Sequence, residues 1–153
     1  MREILFRGKA INRDKGYHRT EYKNGEWVYG LVTKLYDEQF KSLPAEMTNT
    51  NGIRGIEIDY KTIGRYTGLT DKNGNKIFEG DILKLILESK ESDIPIIVKY
   101  GQYIDADSVD DSKYLGWYLD IKNKCVSILL GENDGIEFEV AGNIYDNPEL
   151  LEE

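Results

Sequence analysis

The sequence predicts a mainly β fold: a small barrel with hairpin extensions and one short C-terminal helical turn. Short runs of β-branched and aromatic residues recur along the chain, and such residues favour the pleated, half-buried surface of a strand. Clusters of Gly, Asn and Asp separate these runs, as tight turns between strands require. A helix-start pattern occurs at Asp146–Glu149, because Asp or Asn can cap a helix and proline suits its first turn.

The densest turn chemistry lies between Asp59 and Leu83. Asn73-Gly74 predicts a type I′ hairpin turn, because both central positions of that turn need a positive φ. Glu79-Gly80-Asp81 predicts a second turn, which leads into the apolar run Ile82–Leu87. A Gly-Asp turn before an apolar strand is common in SH3-like barrels, so by analogy we predict an SH3-like or related β-barrel. Backbone geometry accounts for these residues, which favours hairpins over a recognition loop.

Further strands are predicted between polar connections, at Arg2–Gly8, Glu26–Val32, Glu57–Tyr66, Pro95–Tyr100, Leu115–Ile121, Lys124–Leu130 and Glu137–Tyr145. Gly142 interrupts the last run, which predicts a bulge or bend there. Residues 37–55 are polar with weak β-propensity, and residues 101–114 contain an acidic loop. Both segments are therefore predicted to be irregular or mobile excursions.

Length and composition indicate one globular domain, residues 1–153. The chain has 40% hydrophobic and 31% charged residues, as soluble domains of this size do. No apolar run approaches the roughly 18 residues of a membrane span, and the N-terminal residues do not form a signal peptide. Cys125 is the single cysteine, which excludes an internal disulfide and favours a reducing cytoplasm.

Charge is distributed unevenly along the chain. Residues 1–34 carry a net charge of +4, residues 35–100 carry −2 and residues 101–153 carry −10. Duplex DNA binding depends on neutralising phosphates with Lys and Arg. The overall net charge of −8 therefore disfavours nucleic acid as the main partner. The acidic surface is explained most simply by solubility, although it could also mimic nucleic acid towards a basic partner.

Motifs for nucleophilic, zinc or phosphate chemistry are missing from the sequence. His18 is the only histidine and lies in a basic loop, whereas Cys125 lies in an apolar strand pattern typical of a small buried side chain. A structural zinc site needs about four ligands, and neither glycine-rich phosphate motif occurs. We therefore predict no catalytic residue and no cofactor.

Carboxylates leave a metal site open as an alternative. Asp105, Asp107, Asp110 and Asp111 lie close together, and oxygen ligands of this kind suit hard cations. The third ligand and the glycine of a calcium-binding EF-hand loop are missing, so a solvated acidic loop is favoured. Asp59, Glu79 and Asp81 could act as general acid and base if the fold joined them, but Asp81 is better explained by its turn.

Aromatic residues supply the remaining functional signal. The chain has 11 Tyr and 2 Trp, and tyrosines can anchor protein interfaces or stack on single-stranded bases. Tyrosines and arginines are neighbours in the N-terminal half. The predicted contact surface consists of Tyr17, Arg19, Tyr29, Arg65 and Tyr66.

Four blocks of the sequence follow one another in the order R-E-I-L-F-R-G-K, G-E-W-V-Y-G, T-I-G-R-Y-T-G-L-T-D-K-N-G-N-K-I-F-E-G-D-I-L and E-V-A-G-N-I-Y-D-N-P-E-L-L. Together they resemble successive blocks of YopX-like proteins of phages and prophages. The resemblance implies a β-rich fold and an origin in a phage or prophage of low-GC Gram-positive bacteria. It implies no reaction, so it assigns no catalytic residue.

We therefore expect a phage accessory protein that acts without catalysis in the host cytoplasm, by binding a host or phage protein. Single-stranded nucleic-acid binding through a basic, tyrosine-bearing face is the first alternative. A carboxylate- or metal-dependent hydrolase is the second alternative. The oligomeric state is left open, because the sequence does not say how exposed strand edges are covered.

Overall fold

The computed structural model describes residues 3–12, 22–36, 39, 43–87, 90–127 and 136–152. Within these residues the chain forms strands and short 3-10 turns, so the mainly β fold class is confirmed, and the strands form two sheets with a curled half-barrel, consistent with a small barrel-like fold. The chain divides into two compact units, Met1–Tyr66 and Thr67–Glu153. The prediction that residues 1–153 form a single domain stays a prediction.

The first unit holds four complete strands among its described residues and the beginning of a fifth: β1 (Phe6–Lys9), β2 (Trp27–Lys34), β3 (Ala45–Asn49), β4 (Ile56–Ile58) and β5 (Gly64–Thr70). The first sheet has the strand order β4-β3-β2-β1-β5-β6, where β6 is Lys76–Phe78. β1 pairs antiparallel with both β2 and β5. The core of this unit consists of buried apolar side chains: Ala10, Val28, Ala45, Met47, Ile56 and Ile58.

The second unit contributes the strands of the second sheet: β7 (Asp81–Leu87), β8 (Lys90–Glu91), β9 (Ile96–Ile104), β10 (Lys113–Ile121), β11 (Lys124–Ser127) and β12 (Ile136–Asn143). Their order is β11-β10-β9-β7-β12, and β8 pairs with β7. The core of this unit contains Ile77, Leu83, Ile96, Val98 and Leu119. A 3-10 turn at Pro148–Leu151 has proline in its first turn, which confirms the short C-terminal helical turn.

β3 lies inside the segment 37–55, which the sequence predicts to be irregular, and that prediction is wrong for Ala45–Asn49. Ala45, Met47 and Asn49 are buried at alternate positions of the strand. The Asn49 amide is satisfied there, because its Nδ2 donates to the Tyr22 hydroxyl at 2.9 Å and its Oδ1 accepts from the Ile53 N–H at 2.8 Å. Burial in the core therefore outweighs weak β-propensity in this segment.

A 3-10 turn interrupts the predicted strand Glu57–Tyr66 at Tyr60–Thr62. The Asp59 carboxylate accepts a hydrogen bond from the Lys61 N–H at 3.0 Å, which caps the turn. The Thr62 hydroxyl accepts from the Lys9 N–H at 2.8 Å and donates to the Asp59 carbonyl at 2.7 Å. The turn thus ends β4, holds the end of β1 and redirects the chain into β5.

The predicted excursion 101–114 is wrong at both ends, because β9 continues to Ile104 and β10 begins at Lys113. The two strands pair along their whole length, from Ile96↔Ile121 to Ile104↔Lys113. They form a long two-stranded ribbon, and the acidic loop 105–112 connects the end of β9 to the beginning of β10. At the other end of the sheet, the register shifts between Val140 and Gly142, which confirms the predicted bulge in β12.

The type I′ turn occurs at a different place from the predicted one. Gly74 has a φ of 82°, but Asn73 is not among the residues with positive φ, so Asn73-Gly74 does not meet the requirement of that turn. Lys122 and Asn123 have φ values of 49° and 67° and join β10 to β11. The Asp120 carboxylate accepts a hydrogen bond from the Asn123 N–H at 2.9 Å, which helps to fix this left-handed pair.

Candidate interaction surface

The outward face of β1 and β2 combines exposed aromatic and aliphatic side chains with cations. Val28 is buried in the core, and side chains alternate along a strand, so Trp27, Tyr29 and Leu31 lie on the opposite side of the sheet. The register places Lys9 opposite Trp27 and Arg7 opposite Tyr29. We call these five residues the β1–β2 face.

Trp27 anchors the cationic part of the β1–β2 face. The Arg7 guanidinium carbon lies 4.6 Å from the centroid of the Trp27 ring, and the Lys9 Nζ lies 5.3 Å from it. Both distances are within the range of cation–π attraction. Arg7 is buried and Trp27 is half-buried. The ring and its two cations are therefore held in place next to the more exposed side chains of Tyr29 and Leu31.

Tyr29 and Leu31 form the exposed part of the β1–β2 face. Tyr29 is 40% exposed and Leu31 is 51% exposed. Because they are two positions apart on one strand, their side chains lie side by side. Trp, Tyr and Arg are the residue types enriched at the centres of protein interfaces, and Leu31 extends the apolar area beside them.

The structure separates the residues of the predicted contact surface. Tyr29 is exposed on the β1–β2 face. Arg65 pairs with Phe6, which packs against the core, so the register places Arg65 on the other side of the sheet from Tyr29. Tyr66 is buried, with 7% exposure, and does not offer its ring to a partner. Tyr17 and Arg19 lie outside the described residues, as does His18.

The predicted surface does not include Arg7, Lys9, Trp27 and Leu31. Period-two alternation from Tyr29 contains a signal for Trp27 and Leu31. Arg7 and Lys9 require the strand register, which the sequence does not give. Tyr29 is therefore the one residue that the β1–β2 face shares with the predicted surface.

Two carboxylates of the acidic loop hold its backbone, and one of them also ties the loop to β11. Asp105 accepts hydrogen bonds from the N–H groups of Asp107 and Ser127, both at 3.0 Å, and these bonds lower the pKa of Asp105. Asp110 accepts from the Ser108 hydroxyl at 2.9 Å and the Ser112 N–H at 3.2 Å. Hydrogen bonds from Ser112 and Ser108 lower the pKa of Asp110. Both groups are therefore ionised at neutral pH.

The surroundings of Asp81 and Cys125 indicate structural roles for both side chains. Asp81 is 1% exposed, and its Oδ2 accepts from the Phe78 N–H at 2.7 Å, as its turn predicts. Burial raises the pKa of the half-buried Cys125 thiol, which keeps it protonated at neutral pH. Within the described residues, no group of three or more His, Cys, Asp or Glu side chains is placed to hold a metal ion.

An open cleft of about 870 Å³ lies between the acidic loop and the β10–β11 turn. Its walls mix Asp105 and Asp107 with Lys113 and Lys124 beside the Tyr103 ring. Because its walls carry both carboxylates and ammonium groups, the cleft matches no single class of ligand. The β1–β2 face is the better-defined candidate site.

Comparison with known proteins assigns the chain to a family. The family model described as YopX protein matches residues 17–152. The chain therefore belongs to the YopX protein family, as the four sequence blocks indicate. A comparison with curated proteins gives no match.

Membrane-spanning helices are a separate question. Among the residues that the structure describes, no helix is long and apolar enough to cross a membrane.

Proposed function

We propose that this YopX family member is a phage or prophage accessory protein that binds a host or phage protein without catalysis, in the host cytoplasm. The β1–β2 face is the contact surface. The observation that carries the proposal is the row of Trp27, Tyr29 and Leu31 on the outward side of β2, with Tyr29 40% and Leu31 51% exposed.

The chemistry of the β1–β2 face supports a protein partner. Trp, Tyr and Arg are the residues that most often dominate binding energy in protein interfaces. Arg7 is already buried against the Trp27 ring, and Lys9 is held against the same ring, so little side-chain entropy is lost when a partner covers Lys9. The Lys9 ammonium favours a partner whose contact surface is acidic around an apolar centre.

Affinity capture from host lysate with matched variants tests the proposal. Tyr29→Ser removes an exposed ring from the face, and Tyr60→Ser removes a ring of similar exposure, 36%, elsewhere in the same unit. We expect the wild type and Tyr60→Ser to recover the same protein and Tyr29→Ser to recover at least about tenfold less, since a central Tyr contributes ~2 kcal/mol. Equal recovery by all three proteins would reject the β1–β2 face as the contact surface.

Single-stranded nucleic acid is the second candidate partner. The stacking of Arg7 and Lys9 on Trp27 beside Tyr29 favours it, because such proteins combine cations with rings on which bases stack. The net charge of −8 opposes it. Fluorescence titration with a labelled oligonucleotide at low and at high salt tests this candidate. Salt-sensitive binding that Tyr29→Ser weakens supports it, and no binding at low salt rejects it.

A further inference from the structure

The core face of the second sheet continues into solvent along the β9–β10 ribbon. Val98 and Leu119 face each other in the register and are buried, with 0% and 4% exposure. Two positions further along, Tyr100 pairs with Trp117, and their rings meet edge to face with centroids 5.1 Å apart. The same side of the ribbon then carries the pairs Gln102↔Leu115 and Ile104↔Lys113.

The exposed part of this side is mainly apolar, with Gln102 and Lys113 as its exposed polar members. Tyr100 is 47%, Ile104 is 42% and Leu115 is 74% exposed. β7 pairs with β9 at Ile82↔Ile97 and Leu83↔Ile96, near the beginning of β9. The ribbon therefore extends beyond the pairing that builds the core. We call Tyr100, Ile104, Leu115 and Trp117 the ribbon face.

An acidic loop lies at the end of the ribbon face. Asp107, Asp110 and Asp111 are exposed there. Two ribbon faces packed in the same direction would bring the like charges of their loops together. The three loop carboxylates outnumber Lys113 at this end of the ribbon, so the ribbon face favours a partner that is apolar in the centre and basic at its margin.

We propose that the ribbon face of one copy docks on the β1–β2 face of a second copy of this chain. The β1–β2 face has the complementary chemistry, with Tyr29 and Leu31 exposed and the half-buried Lys9 as the accessible cation beside them. The two faces also match in size, because Trp27 to Leu31 and Tyr100 to Ile104 each span about 13 Å of strand. Residues 1–34 carry +4 and residues 101–153 carry −10, so their attraction steers this pairing.

Such a contact is heterologous, since it joins two different surfaces. Heterologous contacts produce rings when the rotation closes and open chains when it does not. The proposal rests on the β1–β2 face that we assign to the partner protein, so self-association competes with partner binding. The test of self-association uses purified protein alone. Failure of self-association can therefore be told apart from failure of partner binding.

Sedimentation velocity of the full chain, from micromolar to near-millimolar concentration, tests the apolar part of the contact. We expect concentration-dependent association that weakens at high salt, because charges contribute to it. Leu115→Ser raises the dissociation constant at least about tenfold, since it removes an apolar side chain from the contact. Leu87→Ser removes an apolar side chain that is 44% exposed in the same unit and leaves association unchanged. A monomer at every concentration overturns the proposal.

Charge reversal tests which surfaces meet. Lys9→Glu and Asp107→Lys each weaken self-association when studied alone, because each places like charges in the contact. Mixing the two variants restores association between them, since the reversed loop of one meets the reversed face of the other. If two identical surfaces met instead, mixing the two variants would not restore association. Absence of restored association on mixing overturns the proposal.

Discussion

Asp71 connects the turn after β5 to β12. Its Oδ1 accepts hydrogen bonds from the N–H groups of Asn73 and Asn75, both at 2.9 Å, and its Oδ2 accepts from the Val140 N–H at 3.0 Å. Asp71 is 7% exposed, so water does not easily replace it as the acceptor. Lys72 adds an ion pair with Glu139 at 2.8 Å. The turn between β5 and β6 therefore stabilises the second unit through Asp71 and Lys72.

Replacing this carboxylate destabilises the protein. Asp71→Ala leaves the Val140 N–H without its acceptor, so we expect the free energy of unfolding to fall by about 2–3 kcal/mol. Asp107→Ala, which removes an exposed carboxylate from the same unit, serves as the control and changes stability by less than about 0.5 kcal/mol. Urea denaturation measures both. Equal stability of the two variants would contradict the role assigned to Asp71.

Acid weakens the fold through the same residue. Burial raises the pKa of Asp71, but hydrogen bonds from Val140, Asn75 and Asn73 outweigh burial and leave the pKa below its ordinary value. The stabilisation is complete above the unfolded pKa of about 3.9 and is lost as pH falls through the lower folded pKa. We expect the wild type to lose stability below about pH 4 and Asp71→Asn to lose less. Parallel pH profiles in urea denaturation would contradict this account.

At the scale of elements, sequence prediction succeeds where propensity and burial agree. β7, β9 and β10 are rich in β-branched, aliphatic and aromatic residues, and the sequence predicts β7 and β10 within two residues of their observed bounds but ends β9 four residues early. β3 was missed because Ala45, Met47 and Asn49 have weak propensity and gain their stability from the core. The turn at Tyr60–Thr62 depends on Thr62 meeting β1, a contact that lies outside any local pattern.

Two strand glycines differ sharply in the space around them. A Cβ on Gly30 would overlap the Thr48 carbonyl oxygen and lie 2.8 Å from the Asn49 Cα, both backbone atoms of β3. A Cβ on Gly116 in β10 would meet nothing within 4 Å. We expect Gly30→Ala to lower stability by about 2 kcal/mol or more, because the added methyl group forces β2 away from β3. We expect Gly116→Ala to change stability by less than about 0.5 kcal/mol. Thermal unfolding compares them, and similar midpoints would contradict the observed β2–β3 packing.

At the scale of the whole molecule, the sequence predicted the candidate site only in part. The basic N-terminal segment and Tyr29 were found, because charge and aromatic content are visible in the chain. Arg65 and Tyr66 were misplaced, since strand register and burial decide their environment. Of the ribbon face, only Ile104 lies in the segment predicted to be irregular; Tyr100, Leu115 and Trp117 lie in predicted strands, and only the strand register groups them on one side. Local residue chemistry was thus predictable, whereas the grouping of residues on one face required the sheet.

Site-specific photo-crosslinking tests the central claim, that the β1–β2 face binds a partner protein. A benzophenone amino acid replaces Tyr29 in one protein and Tyr60 in the other, and both proteins are irradiated in host lysate. We predict a discrete protein adduct from position 29 that excess unlabelled wild type suppresses and excess Tyr29→Ser does not, with no such adduct from position 60. No adduct at position 29, or the same adducts at both positions, would contradict the account.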